Sequence, residues 1–288
     1  MAGSAAEPGG GVAARSTPTD DLPPEFDGHR KQRRSRLTRA GLYVGFIAVV
    51  AALAVVVDWP RVVTNFLQPS IAAEMFPDVL LQAARNTIIF TFFGFSGGLV
   101  FGLALALMRL STIRLYRWFA TVYIETFRGL PALLTIMIVG FGIPIALGRG
   151  LPGTYTPGAV GLGIVAAAYM AETIRAGIQA VPRGQMEAAR SLGMSQPRAM
   201  ASIVIPQAFR IIIPPLTNEL VLLIKDTSLL FVLGTTAATE ELVKFGRDFA
   251  FSTANSTPFI VVGLVYLAIT LPMTRLVALL ERRTQRAR

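Results

Sequence analysis

Asn86-Thr-Ile-Ile-Phe-Thr-Phe-Phe-Gly-Phe-Ser-Gly-Gly-Leu-Val-Phe-Gly-Leu-Ala-Leu-Ala-Leu-Met108 runs 23 residues without a charged side chain. A helix rising 1.5 Å per residue crosses the ~30 Å hydrocarbon layer of a membrane in about 20 residues, so this stretch is long enough to span one. Four more charge-free stretches follow the same rule: 40–57, 129–148, 150–171 and 249–274. Composition agrees, with 53% hydrophobic and only 15% charged residues, against about 25% charged in soluble domains. The chain is therefore expected to be an all-α polytopic membrane protein, and a soluble enzyme is excluded.

Missing residue types exclude further chemistry. There is no Cys, which removes disulfides, thiolate nucleophiles and Cys-based metal sites. His29 is the only histidine and lies in a polar tail, so no imidazole is on hand for a catalytic triad or a zinc protease site. Lys31, Lys225 and Lys244 are followed by Gln, Asp and Phe, so the Lys-Ser/Thr end of a phosphate-cradling loop is absent. No metal, catalytic residue or ATP site is expected on this chain. The net charge of +10 suits cytoplasmic loops of a membrane protein better than nucleic acid. Gly94-Phe-Ser96-Gly-Gly98 matches the nucleophile-elbow pattern, yet sits inside an apolar run. Gly94, Gly98 and Gly102 recur every four residues, which predicts close helix packing instead.

Residues 1–39 read as a disordered tail rich in Gly, Ala, Pro and Ser, ending in a basic block of Arg30, Lys31, Arg33, Arg34, Arg36 and Arg39. The run 40–57 ends at Val-Asp-Trp-Pro rather than at a small-residue cleavage site, and is read as a retained transmembrane helix. Six spans are expected near 40–57, 83–108, 119–147, 158–179, 208–234 and 258–280, the fifth interrupted by Glu219, Lys225 and Asp226. With the N-terminus inside, eighteen Lys and Arg fall on the cytoplasmic side and five outside. That asymmetry predicts both termini in the cytoplasm.

The longest cytoplasmic connection, about 181–208, contains two short helix-forming runs separated by Gly193. Ser195 and Pro197 suit the start of the second run, and Pro206 is expected to break the chain before the next span. Met186, Ala189, Leu192 and Met194 offer a small apolar surface beside Glu187 and Arg190. By periodicity the elbow is either a docking element for a partner or an interfacial helix resting on lipid. Its spelling adds to this. Glu187-Ala188-Ala189, Gly193 four residues on, and Ile203-Val-Ile205-Pro206 after nine more resemble the EAA loop of bacterial ABC-importer permeases, with Ile205 where the family has Leu. The stretches 123–131, 168–177, 181–185, 213–218 and 223–229 are similar to the polar amino-acid subgroup.

The resemblance covers 81–288 and implies a five-span core, spans two to six here, with the tail and the helix 40–57 as additions. It implies that Glu187, Ala188, Ala189, Arg190, Gly193, Ile203 and Pro206 belong to coupling helices that dock on an ATPase subunit. It further implies a second permease copy or paralogue, two ATP-binding subunits carrying ATP and Mg, and an extracytoplasmic substrate-binding protein. Glutamate or glutamine is the favoured substrate, because the extra span and tail are similar to glutamate-type permeases of actinobacteria. Two rivals remain at this point: a self-sufficient secondary transporter, which would need coupling-ion carboxylates and usually an internal repeat, and a membrane receptor or scaffold using the basic tail.

Charges inside the spans need partners, because each costs ~2.5–3.5 kcal/mol facing lipid at mid-depth. Glu125 with Arg128 and Glu172 with Arg175 have i,i+3 spacing, which places each pair on one helix face. They are expected either to brace the bundle as ion pairs or to line the path. Asn218, Glu219, Lys225 and Asp226 on the fifth span are candidates for the translocation path, as core ion pairs or substrate contacts.

Overall fold

The computed structural model describes residues 27–234 and 236–286; the disorder expected for 1–26 lies outside the described residues. The chain divides into two compact units, Met1–Asp58 and Trp59–Arg288. In the first, helix α1 (Asp27–Val56) carries the basic block on its N-terminal half. The helix begins before the residue at which the span was expected to start: 27–39 is helical, as Arg, Lys, Gln and Leu, all strong helix formers, allow.

The second unit contains α2 (Trp59–Phe66), α3 (Pro69–Glu74), α4 (Arg85–Leu110), α5 (Arg114–Gly129), α6 (Ala132–Met137), α7 (Ile143–Leu147) and α8 (Thr156–Gln179). It continues with α9 (Arg183–Ser191), α10 (Gln196–Ala199), α11 (Ile205–Asp226), α12 (Leu242–Thr253) and α13 (Thr257–Arg286). No strand occurs among the described residues. Over both units, five helical elements are long and apolar enough to span a membrane, or six if α5 to α7 form one broken span.

That broken element corrects the straight third helix expected over 119–147: the two halves are bent by 109° at the break. Pro131 is the cause. Its ring pushes Leu130 out of the α region, to φ −87° and ψ 142°, and Pro131 itself follows at φ −57° and ψ 132°. The expected interruptions in and before the fifth span are also corrected. The helical path from Gln196 to Leu233 continues through Pro206, which occupies the first turn of α11 just after a π-helical turn, Met200–Val204. A widened turn of this kind accommodates an extra residue within a continuous helix. Pro214 and Pro215 also lie within α11, and only beyond Asp226 does the backbone tighten to a 3₁₀ stretch, Thr227–Leu233.

The glycine stripe does what its spacing predicts. α4 packs along α8 with Gly94, Gly98 and Gly102 buried at the crossing. A Cβ on Gly98 would stand 2.8 Å from the Ala166 Cβ, and one on Gly102 would stand 2.9 Å from the Ala167 carbonyl oxygen. Neither backbone can retreat without separating the helices, so Gly at these places sets the interhelical distance.

Three apolar clusters stack along the bundle. At the end formed by the α8–α11 connection lie Leu105, Ile124, Ile174, Val204 and Ile212. Phe90, Ile136, Leu162, Met170 and Leu230 fill the middle. At the opposite end Met75, Val79, Leu242, Val261 and Val265 join α12 and α13 to the start of α4. Large exposed apolar side chains remain on the flanks, among them Phe92, Val100, Phe209 and Leu264, a distribution that suits hydrocarbon rather than water.

Candidate coupling surface and the charged layer of the bundle

The connection between α8 and α11 folds as a helical elbow. At the end of α9 the Gly193 N–H donates to the Arg190 carbonyl (3.0 Å) and the Met194 N–H to the Ala189 carbonyl (3.1 Å), with Gly193 at φ +83°. These two bonds form a Schellman motif, whose left-handed residue favours glycine. Ser195 occupies the N-cap position of α10 without a side-chain capping bond, and Pro197 lies in the first turn, as its missing N–H permits.

The elbow presents its polar face outward. Glu187, Ala188 and Arg190 are exposed, Leu192 is 84% exposed at the apex, and Pro206 is exposed nearby. Ala189, also in the expected docking set, is 5% exposed and points inward. Met186 packs against the cluster at this end and Ile203 is half-buried. The apolar surface expected from Met186, Ala189, Leu192 and Met194 therefore splits. Ala189 and Met186 hold the elbow to the bundle, leaving Leu192 as the exposed apolar tip.

Next to this end lies a charged layer that same-helix spacing only half anticipates. Glu172 and Arg175 do pair on α8: Arg175 Nε donates to Glu172 Oε2 at 3.0 Å, a second guanidinium nitrogen reaches Oε1, and Arg175 also bonds Gln179. Glu125 instead turns to Arg109, at the end of α4, at 3.3 Å. The same Arg109 reaches Glu172 at 3.2 Å. Two cations and two anions from α4, α5 and α8 thus form one neutral network, with Arg109 as its bridge. Arg109 reads as a loop residue from sequence, and its position at the edge of a charge-free run is the only signal that could have flagged it.

Arg128 does not pair with Glu125 but sits 5.8 Å from the Tyr169 ring centroid, in cation–π range. It is within electrostatic reach of Glu172 and of Glu219 on α11. Glu219 and Asp226 are half-buried and lie two helical turns apart, while Asn218 and Lys225 are exposed. Arg128 and Glu219 thus add one charge of each sign beside the network, while Asp226 lies farther along α11, next to Thr227 and its contact with Tyr266.

A second polar cluster closes the opposite end, where sequence reasoning placed nothing. Asn86 on α4 donates to the Ala238 (3.0 Å) and Glu240 (2.9 Å) carbonyls and accepts from Tyr155 Oη at 2.7 Å. Glu241, fully buried, caps α12 by accepting from the Val243 N–H (2.6 Å) and Lys244 N–H (2.7 Å), and Tyr266 Oη donates to it at 3.4 Å. Burial outweighs these hydrogen bonds and the nearby Lys244, and pushes the carboxyl up to about 7. Glu240 shifts in the same direction, again chiefly through burial.

The folded chain therefore holds the Glu241 proton to higher pH than the unfolded chain does. Its contribution is fully present below the unfolded value of 4.5, falls as pH rises to about 7, and is flat above. The full span corresponds to roughly 3 kcal/mol. Thermal unfolding of the purified protein in detergent should show a midpoint that drops between pH 5 and 7.5. Glu241→Gln should flatten most of that slope, leaving the part due to Glu240; an unchanged slope would show that the carboxyl is already ionised.

No group of three or more Asp, Glu, His or Cys is placed to hold a metal ion among the described residues. Residues 98–286 match the family described as "Binding-protein-dependent transport system inner membrane component". Among related proteins, the probable glutamine ABC transporter permease GlnM of Bacillus subtilis (strain 168) is 37% identical over 202 residues, 70% of this chain and 91% of that protein. The arginine transport system permease ArtQ of the same organism is 37% identical over 187 residues, 65% of this chain and 83% of that protein. A crystal structure of an amino acid ABC transporter with histidines superposes with a TM-score of 0.67 at 35% identity, covering 73% of this chain and 96% of that chain. An inward-facing methionine transporter, MetNI, shares the fold with a TM-score of 0.59 at 20% identity, covering 73% and 98%.

Proposed function

The chain belongs to the family of binding-protein-dependent transport system inner membrane components, and on that premise we propose how it works. It is a membrane-spanning permease subunit of an amino-acid ABC importer. In our reading it has no ATPase site of its own, and ATP and Mg act on two partner subunits. A second permease copy or paralogue completes the path, and an extracytoplasmic binding protein delivers a polar amino acid, with glutamate or glutamine favoured. Both termini lie in the cytoplasm.

The observation that carries this reading is the outward face of the elbow: Glu187, Arg190 and Leu192 projecting from a segment whose other face is fixed to the bundle. A surface anchored by Ala189 and Met186 transmits a push from a closing ATPase dimer to α8 and α11, the two helices it joins. The charged layer supports a zwitterionic cargo. Arg128 offers a guanidinium to a carboxylate, and Glu219 and Asp226 offer carboxylates to an ammonium group. The glutamine relative supports the substrate preference, and the excess of basic residues on one side supports the orientation.

The test is uptake of labelled glutamate and glutamine into vesicles. Uptake should require the ATPase subunits, ATP and the binding protein together, and the permease alone should neither hydrolyse ATP nor concentrate substrate. Uptake by this chain alone, driven by an ion gradient, would instead establish a secondary transporter. For orientation, a reporter active only in the cytoplasm should be active after Arg288 and silent at Arg149; the reverse would overturn the assignment.

A further inference from the structure

Between α1 and the next span lies a segment with no part in coupling or in the charged layer. α2 places Trp59, Val62, Val63 and Phe66 at positions i, i+3, i+4 and i+7, one face of a helix, and Leu67 continues the face. Pro60, Arg61, Thr64 and Asn65 form the other side. The apolar face is open: Trp59 is 54%, Val63 50%, Phe66 42% and Leu67 52% exposed. The C-terminal end of α2 is bonded through its backbone to a neighbouring segment of the same unit. Ser256 N–H donates to the Asn65 carbonyl at 2.8 Å and Asn255 Nδ2 to the Thr64 carbonyl at 2.9 Å. Just beyond α2, the Gln68 N–H donates to Thr257 Oγ1 at 3.0 Å. These bonds tie α2 to the turn between α12 and α13, where Ala254 adopts φ +48°.

Two facts define what covers the apolar face. α2 begins three residues after Val56, the last residue of a helix long and apolar enough to span a membrane; three residues reach at most ~11 Å. The turn it is bonded to opens α13, another such helix. At both ends α2 is thus held at the level where chains leave the hydrocarbon, and its eight residues, ~12 Å long, are too short to cross it. Trp at one end of the face suits that boundary, since an indole joins a large apolar ring to a polar group.

We propose that α2 is an interfacial helix. It lies flat in the headgroup–acyl boundary of the leaflet opposite the coupling elbow, with Trp59, Val63, Phe66 and Leu67 in lipid. Through Thr64, Asn65 and Gln68 it fixes the depth at which α13 begins.

The chain has two tryptophans, and Trp118 is largely exposed on α5, so Trp118→Phe should leave Trp59 as the sole indole without disturbing the core. This full-length variant would be reconstituted into dioleoyl phosphatidylcholine vesicles containing lipids brominated either near the headgroup end or near the terminal methyl of the acyl chain. Trp59 should lose most of its emission to the shallow bromines, distinctly less to the deep ones, and little to aqueous acrylamide. Adding Val63→Glu with Phe66→Glu should reverse the order, making acrylamide the stronger quencher. Acrylamide quenching without bromolipid quenching in the Trp118→Phe protein would overturn the proposal, placing α2 in water. Quenching by neither, which means protein covers the face, and strongest quenching by the deep bromines, which means burial in hydrocarbon, would overturn it as well.

Discussion

Gly193→Val is expected to abolish substrate uptake by the assembled importer, together with substrate-stimulated ATP hydrolysis, while the protein reaches the membrane in normal amounts. Nothing lies within 4 Å of where a Cβ on Gly193 would stand, so the effect is not a collision. It arises from the backbone: φ is +83°, a conformation that costs a non-glycine residue ~1–2 kcal/mol and a β-branched one more. The chain escapes that cost by giving up the Gly193–Arg190 and Met194–Ala189 hydrogen bonds, which re-aims Leu192 and the end of α9. The spans insert by hydrophobicity and are untouched. A graded series follows from the same reasoning. Asn, which tolerates the left-handed region, should keep substantial uptake, Ala should keep less, and Val should keep essentially none. Glu187→Lys acts by a separate route, reversing an exposed charge without altering the elbow, and should also uncouple ATP hydrolysis from transport. Vesicles carrying the complete complex provide the measurement. Wild-type uptake and ATPase stimulation in both Gly193→Val and Glu187→Lys would reduce the elbow to a lipid-resting helix and remove the main support for coupling through it.

Hydropathy made most of the spans legible, because the requirement for ~20 apolar residues is imposed by the membrane rather than by packing. Direction was not legible. The run 129–148 is charge-free like the others, and that says nothing of the 109° bend; the trace lies in Leu130-Pro131, a local steric fact. The converse error occurred on α11, where Pro206 and the charges Glu219, Lys225 and Asp226 suggested interruption and the helix persists. α2 escaped notice because eight residues fall below any span-length window. Of the candidate sites, the elbow was legible down to its left-handed glycine, but not which of its residues face the bundle. Ala188 and Ala189 are indistinguishable in sequence and opposite in burial. Pairing within one helix was readable for Glu172 and Arg175 because i,i+3 geometry is fixed in advance. Arg109 was not readable, since its partners lie 16 and 63 residues away.

That bridging position makes the charged layer the other place where one substitution should have a large effect. Glu172 accepts from both Arg109 and Arg175, and all three side chains are less than a quarter exposed. Among the described residues Glu125 accepts only from Arg109, and it is 62% exposed. Glu172→Gln should therefore be far more damaging than Glu125→Gln. It leaves two guanidinium groups facing each other across α4 and α8 with only an exposed carboxylate to share, whereas loss of Glu125 leaves Arg109 its better partner. Breaking a fully buried pair costs about 3–5 kcal/mol, and partial exposure here reduces that to roughly half. The expected result is a clear fall in assembled, monodisperse complex and in its thermal midpoint for Glu172→Gln, and little change for Glu125→Gln. Neutralising both members on α8, Glu172→Gln with Arg175→Gln, should recover part of the loss, because Arg109 then keeps Glu125 and no cation is left over. Recovery of assembly with recovery of uptake means that the layer braces the bundle. Recovery of assembly without uptake means that Glu172 or Arg175 meets the amino acid itself. If the double variant assembles no better than Glu172→Gln, charge balance is not what holds α4, α5 and α8 together here, and the bridging role given to Arg109 fails with it.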